Sequence, residues 1–269
     1  MLSEQQVKEF KANGFLNGGI LLGDATIEVL RSEVMRIIEQ RDRTDIPQPA
    51  VVRNVSPNAA ERIASEVGKQ LWQIINIWQG SQPFYEHLVS NKEIAKAIAQ
   101  LTDARELRVW HDQIQYKPPQ LGGIQMWHQD APLWPVIEPM TEVSAWIALD
   151  DVDYENGCMS MVPGSHRWGD AQAFLETVPD YESLPDRYQG HQVEVVPCPV
   201  KKGEVHFHHA LTWHGSHANT SARHRRALAV HYMTEDTQFV ASGEHVIKDL
   251  IEVGDGEKLE GRYFPQVYP

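Results

Sequence analysis

The chain has 269 residues, 42% hydrophobic and 23% charged, the composition of a soluble globular protein with ample length for a sizeable core. A formal charge of -13 excludes the clustered positive surface that nucleic-acid binding needs, though one local basic pocket could still hold an anionic small molecule. Two cysteines, Cys158 and Cys198, exclude a disulfide framework or a four-cysteine zinc site, and their apolar surroundings read as buried thiols.

The first hundred residues read as mainly helical. Ser3 with Gln6 forms a capping box, and Gly14 closes the first helix. Phe15 to Leu22 follows as an edge strand. Ile27, Leu30, Val34, Ile37 and Ile38 recur at helical spacing from Asp24 to about Arg41. Asp45 to Pro57, with three prolines, reads as a loop; Asn58 to Gln79 and Pro83 to Leu101 read as helical, with Asn91 a cap. After Thr102 the texture becomes β. Strands are expected at Arg105 to Tyr116, Glu142 to Asp151, Gly157 to Pro163, Gln192 to Val200, Glu204 to His208 and Arg226 to Met233. Lys202-Gly203 marks a tight turn, and Phe174 to His191 an irregular insertion. The expected architecture is one α+β unit over 1–269: helical support in 1–104, a β core in 105–235 interrupted near 170–191, and a C-terminal extension in 236–269.

No apolar run reaches the length of a membrane span, so no membrane partner is expected. The N-terminus lacks a basic start and an apolar core, and Gln266-Val267-Tyr268-Pro269 matches no peroxisomal or retention address. A cytoplasmic location is the expectation.

Chemistry concentrates around His128-Gln129-Asp130. A histidine and a carboxylate two apart on a strand share a face and can share a metal ion, and a distant histidine would complete a two-histidine, one-carboxylate iron(II) site with open positions. With 13 histidines and 37 acidic residues, about two such pairs arise by chance, so context decides. The third ligand could come from His206, His208 and His209, or from His214 and His217. His206 and His208 share a strand face and are themselves a possible metal pair. Arg223, Arg225 and Arg226 lead into an alternating strand. A guanidinium there could grip a carboxylate with two parallel hydrogen bonds, and only one of Arg225 and Arg226 can face inward. Gln113, Gln115 and Trp134 to Pro139 are candidate pocket residues.

Six ordered pieces carry a family resemblance: Gln115-Tyr116-Lys117-Pro118-Pro119; Trp127-His128-Gln129-Asp130; Ala145 to Asp150; Asn156 to Met159 with Pro163-Gly164-Ser165-His166; Lys202-Gly203-Glu204-Val205; and His214-Gly215-Ser216 through Asn219 to Arg225. In these the chain resembles the phytanoyl-CoA dioxygenase family of iron(II)- and 2-oxoglutarate-dependent oxygenases. The resemblance implies a double-stranded β-helix, a jelly-roll or cupin-like barrel flanked by N-terminal helices. It implies His128, Asp130 and His214 as iron ligands and Arg225 as the partner of the distal 2-oxoglutarate carboxylate. Lys117, Trp146 and Ser216 fall at further co-substrate contacts, with Arg223 or Arg226 replacing Arg225 if the register shifts. The implied reaction consumes dioxygen, releases succinate and carbon dioxide, and oxidises a small-molecule substrate; the intact Asp130 favours hydroxylation over halogenation. A cupin-like metalloenzyme independent of 2-oxoglutarate and a non-catalytic binding module are the alternatives. Substrate and oligomeric state are not legible.

Overall fold

A strand buried on one face alternates apolar and polar residues, whereas one buried on both is apolar throughout unless its inner face has other work. The central strands of this protein fall in the second group, and their inner faces are polar where the chemistry gathers. The computed structural model describes residues 1–55, 70–89 and 91–269. Its main helices are α1 (Glu4–Asn13), α2 (Asp24–Glu39) and α3 (Lys92–Thr102). Its main strands are β1 (Phe15–Ile20), β2 (Val51–Asn54), β3 (Trp72–Ile75), β4 (Leu107–Lys117), β5 (Gln125–His128), β6 (Val143–Ala148), β7 (Met159–Met161), β8 (Val196–Cys198), β9 (Glu204–His209), β10 (His214–Ser216), β11 (Arg225–Thr234) and β12 (Gln266–Tyr268).

The larger sheet runs β1-β9-β6-β11-β4-β3-β2, with β12 joined to the start of β4; the smaller runs β8-β7-β10-β5. Adjoining strands pair antiparallel throughout. Trp146, Ala148, Ala227 and Ala229 of the large sheet pack on Met159, Met161 and Cys198 of the small one, so the two sheets face each other as a jelly roll. Their alternates Ile147, Leu228 and Val230 point outward onto Ile27, Leu30, Val34, Ile94 and Ile98 of α2 and α3. Each such fully buried aliphatic side chain contributes roughly 1.5–3 kcal/mol.

The capping box at Ser3, the edge pairing of β1 on β9 and the Asn91 cap of α3 occur as expected. Three expectations need correction. Val51 to Asn54, inside the expected loop, is a strand, because its backbone pairs with β3. Trp72 to Ile75, inside the expected helix, is also a strand. It extends the sheet from β4, and burial of Ile74 and Ile75 outweighs local helical spacing. Residues 58–69 of that expected helix lie outside the described residues, and at its end Ile77–Gly80 forms one helical turn. Pro83 to Leu101 is broken, with short helical turns up to 89 and α3 beginning only after Asn91. The insertion is more ordered than its polarity suggested: Leu175, Val178 and Tyr181 pack on Trp127 and Trp213. No helix of the described residues is long and apolar enough to cross a membrane.

Asp150 ties the layers together. Its carboxylate accepts from Arg226 of β11 at 2.8 and 2.9 Å and pairs with Arg31 of α2 at 2.8 Å, all three largely buried. Asp150→Ala leaves Arg226 without a carboxylate partner, while Arg31 keeps Glu28 at 2.6 Å, and is expected to lower the unfolding free energy by about 3 kcal/mol in urea denaturation.

Candidate active site

Alternation along four strands decides which polar side chains enter the barrel. On β11, Arg225, Ala227, Ala229 and His231 face inward while Arg226, Leu228 and Val230 face out. Lys117, Gln115, Gln113 and His111 take the inner face of β4, Ser144 and Trp146 that of β6, and His208 that of β9.

His128 ends β5 and His214 begins β10; the two residues are paired across the strands, which sets their rings 4.1 Å apart. Asp130 arrives differently from the strand geometry expected. β5 has ended, and Asp130 sits in a helical turn (φ -74°, ψ -51°) with its N–H donating to the Ala210 carbonyl at 2.8 Å. The Gln129 amide anchors the turn by donating to the Gly169 and Leu211 carbonyls. Asp130 Oδ1 then stands 3.6 Å from Nε2 of both histidines, and one donor atom from each residue lies within 4.8 Å of the others.

The tautomers suit a cation. Nδ1 of His128 donates to the Met126 carbonyl and Nδ1 of His214 to the Thr212 carbonyl, both at 2.8 Å, leaving each Nε2 a bare lone pair. Burial, then the neighbouring His128, hold His214 well below the ordinary histidine range. Burial opposes charge on Asp130, but His214, His128 and His208 override it and keep the carboxyl well below its usual value. The other oxygen, Oδ2, faces His208 Nε2 at 3.3 Å and the Ser144 hydroxyl at 3.5 Å. His206 stacks on Phe15 instead, its ring centre 6.4 Å from that of His208, and belongs to no group of clustered metal donors among the described residues.

Deeper in, two cations are buried side by side. Lys117 and Arg225 are paired residues of β4 and β11, 0% and 1% exposed. Lys117 Nζ donates to the Ser216 hydroxyl at 2.7 Å and to the Ser216 and His217 carbonyls. Arg225 donates from Nε and Nη2 to the Gly157 carbonyl at 3.1 and 3.0 Å and lies 5.2 Å from the Trp146 ring centre. Gly157 (φ +85°) permits this approach, since a Cβ would stand 2.5 Å from the His217 carbonyl oxygen. Neither cation has a carboxylate within ion-pair distance among the described residues, and Arg225 Nη1 is buried without a partner. Burial lowers both, Lys117 well below its usual value and Arg225 to about 10. Arg226 is held by Asp150 and Arg223 by Asp153, at 2.7 and 2.8 Å, so Arg225 alone of the three points into the barrel with capacity to spare.

A cavity of about 350 Å³ opens beside His128 and Asp130. Gln113, Gln115 and Trp134 line it, as the sequence suggested; His111, Gln73 and Arg53 line it too, and so do His231 and the late residues Glu244 and His245. A histidine in the apolar run Val230-His231-Tyr232 was the one signal available for these. Burial holds His111 well below the histidine range and lowers His231 and His245 to about 4.

The family model for phytanoyl-CoA dioxygenase (PhyH) matches residues 10–227. The chain belongs to this family. Rat peroxisomal phytanoyl-CoA dioxygenase is 27% identical over 273 residues, covering 95% of this chain and 76% of that one. Bovine phytanoyl-CoA dioxygenase domain-containing protein 1 is 36% identical over 123 residues, 44% of this chain and 42% of that one. Among solved structures, the non-heme alpha-ketoglutarate-dependent carbocyclase SnoK from nogalamycin biosynthesis superposes with a TM-score of 0.78 at 28% identity, over 99% of this chain and 96% of that one. The epimerase SnoN, solved with Fe3+, alpha-ketoglutarate and nogalamycin RO, gives 0.76 at 21% identity, over 98% of each chain, a likeness of fold. Family membership makes this protein an iron(II)-dependent dioxygenase that uses 2-oxoglutarate and dioxygen, with the jelly-roll fold of its relatives.

One buried carboxyl behind the cavity sets a pH dependence. Burial raises Asp112 to about 8, although its Oδ1 accepts from the Ile77 amide at 2.8 Å; Oδ2 has no partner. The folded value exceeds the unfolded one, so its contribution to stability is full in acid and is lost as pH rises towards 8. Asp112→Asn is expected to flatten the stability profile between about pH 5 and 8 by up to about 1.4 kcal/mol per pH unit, read from urea midpoints at several pH values.

Proposed function

We propose that His128, Asp130 and His214 hold iron(II), and that Arg225 receives the distal carboxylate of 2-oxoglutarate with Ser216, Lys117 and Trp146 beside it. The enzyme then hydroxylates an aliphatic C–H bond of a small molecule in the adjoining cavity, releasing succinate and carbon dioxide. The observation that carries this reading is the pairing of a closed donor triad with a buried, unpaired guanidinium edge. The donor set fits the metal: two imidazole lone pairs and one carboxylate are the ligands of iron(II) sites that keep positions open. The unpaired Nη1 fits the carboxylate, since an anion there relieves a charge held without a counter-ion.

When bound, iron(II) and 2-oxoglutarate supply the oxidising power drawn from dioxygen. The chain's share is to hold and orient. His208 and Ser144 fix the second oxygen of Asp130, so the carboxylate presents Oδ1 towards the two histidines. Lys117 fastens the Ser216 hydroxyl beside Arg225. Trp127 and Trp213, both buried, close the small sheet behind the site and exclude water. Oxidative ring closure is the second reading, favoured by the 28% identity to SnoK, which is described as a carbocyclase.

Anaerobic titration of iron(II) and 2-oxoglutarate is expected to develop the weak visible band of the chelate. His214→Ala should abolish it, and Arg225→Ala should weaken 2-oxoglutarate binding about 100-fold; retention of both would overturn the assignment. Mass spectrometry of the turned-over substrate separates the two outcomes: hydroxylation adds one oxygen atom, and ring closure removes two hydrogens.

A further inference from the structure

Side chains alternate along a strand, so where His128 and His214 face the barrel interior, Trp127 and Trp213 beside them face out. Both indoles land on one stretch of chain. Trp127 Nε1 donates to the Tyr181 carbonyl at 2.7 Å, and its ring stacks on that of Tyr181 with 5.0 Å between centres. The Trp213 ring meets those of Trp168, Phe174 and Tyr188 at 5.2, 5.6 and 4.9 Å. All of these partners come from residues 168–188, most of them in the insertion.

Gln129, between His128 and Asp130, is gripped by the same stretch and is 0% exposed. Its Nε2 donates to the Gly169 carbonyl at 3.0 Å and the Leu211 carbonyl at 2.7 Å, and its Oε1 accepts from the Ala171 amide at 2.7 Å. Its backbone N–H donates to Gln172 Oε1 at 3.0 Å. Carbonyls only accept and a backbone N–H only donates, so a single orientation of the amide satisfies all three side-chain bonds. One side chain thereby joins the Asp130 turn, the start of the insertion and the loop that leads to His214. The two histidines are set by the pairing of β5 with β10, but Asp130 lies beyond β5. Its turn is held from the barrel side by the Ala210 carbonyl and from outside by Gln129.

We propose that residues 168–188 form the outer half of the metal site: through Gln129 they set the position of Asp130 and so the affinity for iron(II), and iron(II) in turn tightens them. The proposal rests on the assignment of His128, Asp130 and His214 as the metal donors. Gln129 is a positioning residue, turned away from the donors and acting through Asp130. The reverse effect follows from linkage, since a segment whose closed state favours iron(II) must itself be closed by iron(II) to the same degree.

The test uses the full-length protein without oxygen, with and without iron(II). It reads the iron(II) dissociation constant and the amide exchange of residues 169–176, with urea unfolding of the metal-free protein as the measure of fold. In wild type, iron(II) is expected to slow exchange there by about tenfold. Gln129→Glu, which sets an oxygen against a carbonyl, should weaken iron(II) binding by about tenfold or more and abolish that protection. Gln172→Ala removes one bond at a half-buried site and should weaken binding about threefold with its urea midpoint unchanged. An iron(II) dissociation constant unchanged in both variants overturns the proposal, whatever their urea midpoints, because a purely structural Gln129 moves only the midpoint. So does wild-type exchange that is the same with and without iron(II), a result that needs no variant to fold. A wild type that binds no iron(II) overturns the metal assignment itself, and this proposal with it.

Discussion

Two basic side chains buried without a carboxylate partner among the described residues are a costly arrangement in this fold, and much of its local detail exists to hold them. Stripping an ion of water costs several kcal/mol even after relaxation. Lys117 and Arg225 are nonetheless locked by β4 and β11 into adjacent positions behind the metal donors. Three backbone carbonyls, one hydroxyl and the face of Trp146 replace part of the lost solvation. The turn supplying some of these groups is braced by Asn219, whose amide donates to the carbonyls of Lys117, Pro118 and Arg223. What the protein leaves unanswered is one edge of the guanidinium, the position proposed above for the 2-oxoglutarate carboxylate.

How much of this the sequence showed depended on how local the cause was. Alternation showed only that Arg225 and Arg226 face opposite ways; the family motifs pointed to Arg225, and in the structure Asp150 holds Arg226 on the outer face. The His128-Asp130 pair was legible for a partly mistaken reason, since Asp130 reaches the site through a turn fixed by Gln129 and the Ala210 carbonyl. His214 could not be chosen over His206 and His208 from spacing. The choice depends on the pairing of β5 with β10, a contact spanning more than eighty residues, and only the ordered family motifs pointed to it. β2 and β3 were missed for the same reason. Their strand character comes from β4, and Pro, Gln and Asn nearby gave no local sign of it.

The barrel also separates two kinds of residue by the rigidity of what carries them. The metal donors and the buried cations stand on paired strands or on a turn pinned at both ends, which is what a geometry tolerant of only small displacements requires. The cavity wall is mixed: His111 and His231 are paired across β4 and β11, whereas His245 rides on a returning segment. A segment outside the sheets can change its side chains, or its path, without altering the register that sets His128 beside His214 or Lys117 beside Arg225. Ala227 and Ala229, the small inward residues between Arg225 and His231, pack against Trp146, Met159 and Met161 between the two regions. The lining of this cavity can thus be revised from the C-terminal side while the donor triad of His128, Asp130 and His214 stays fixed.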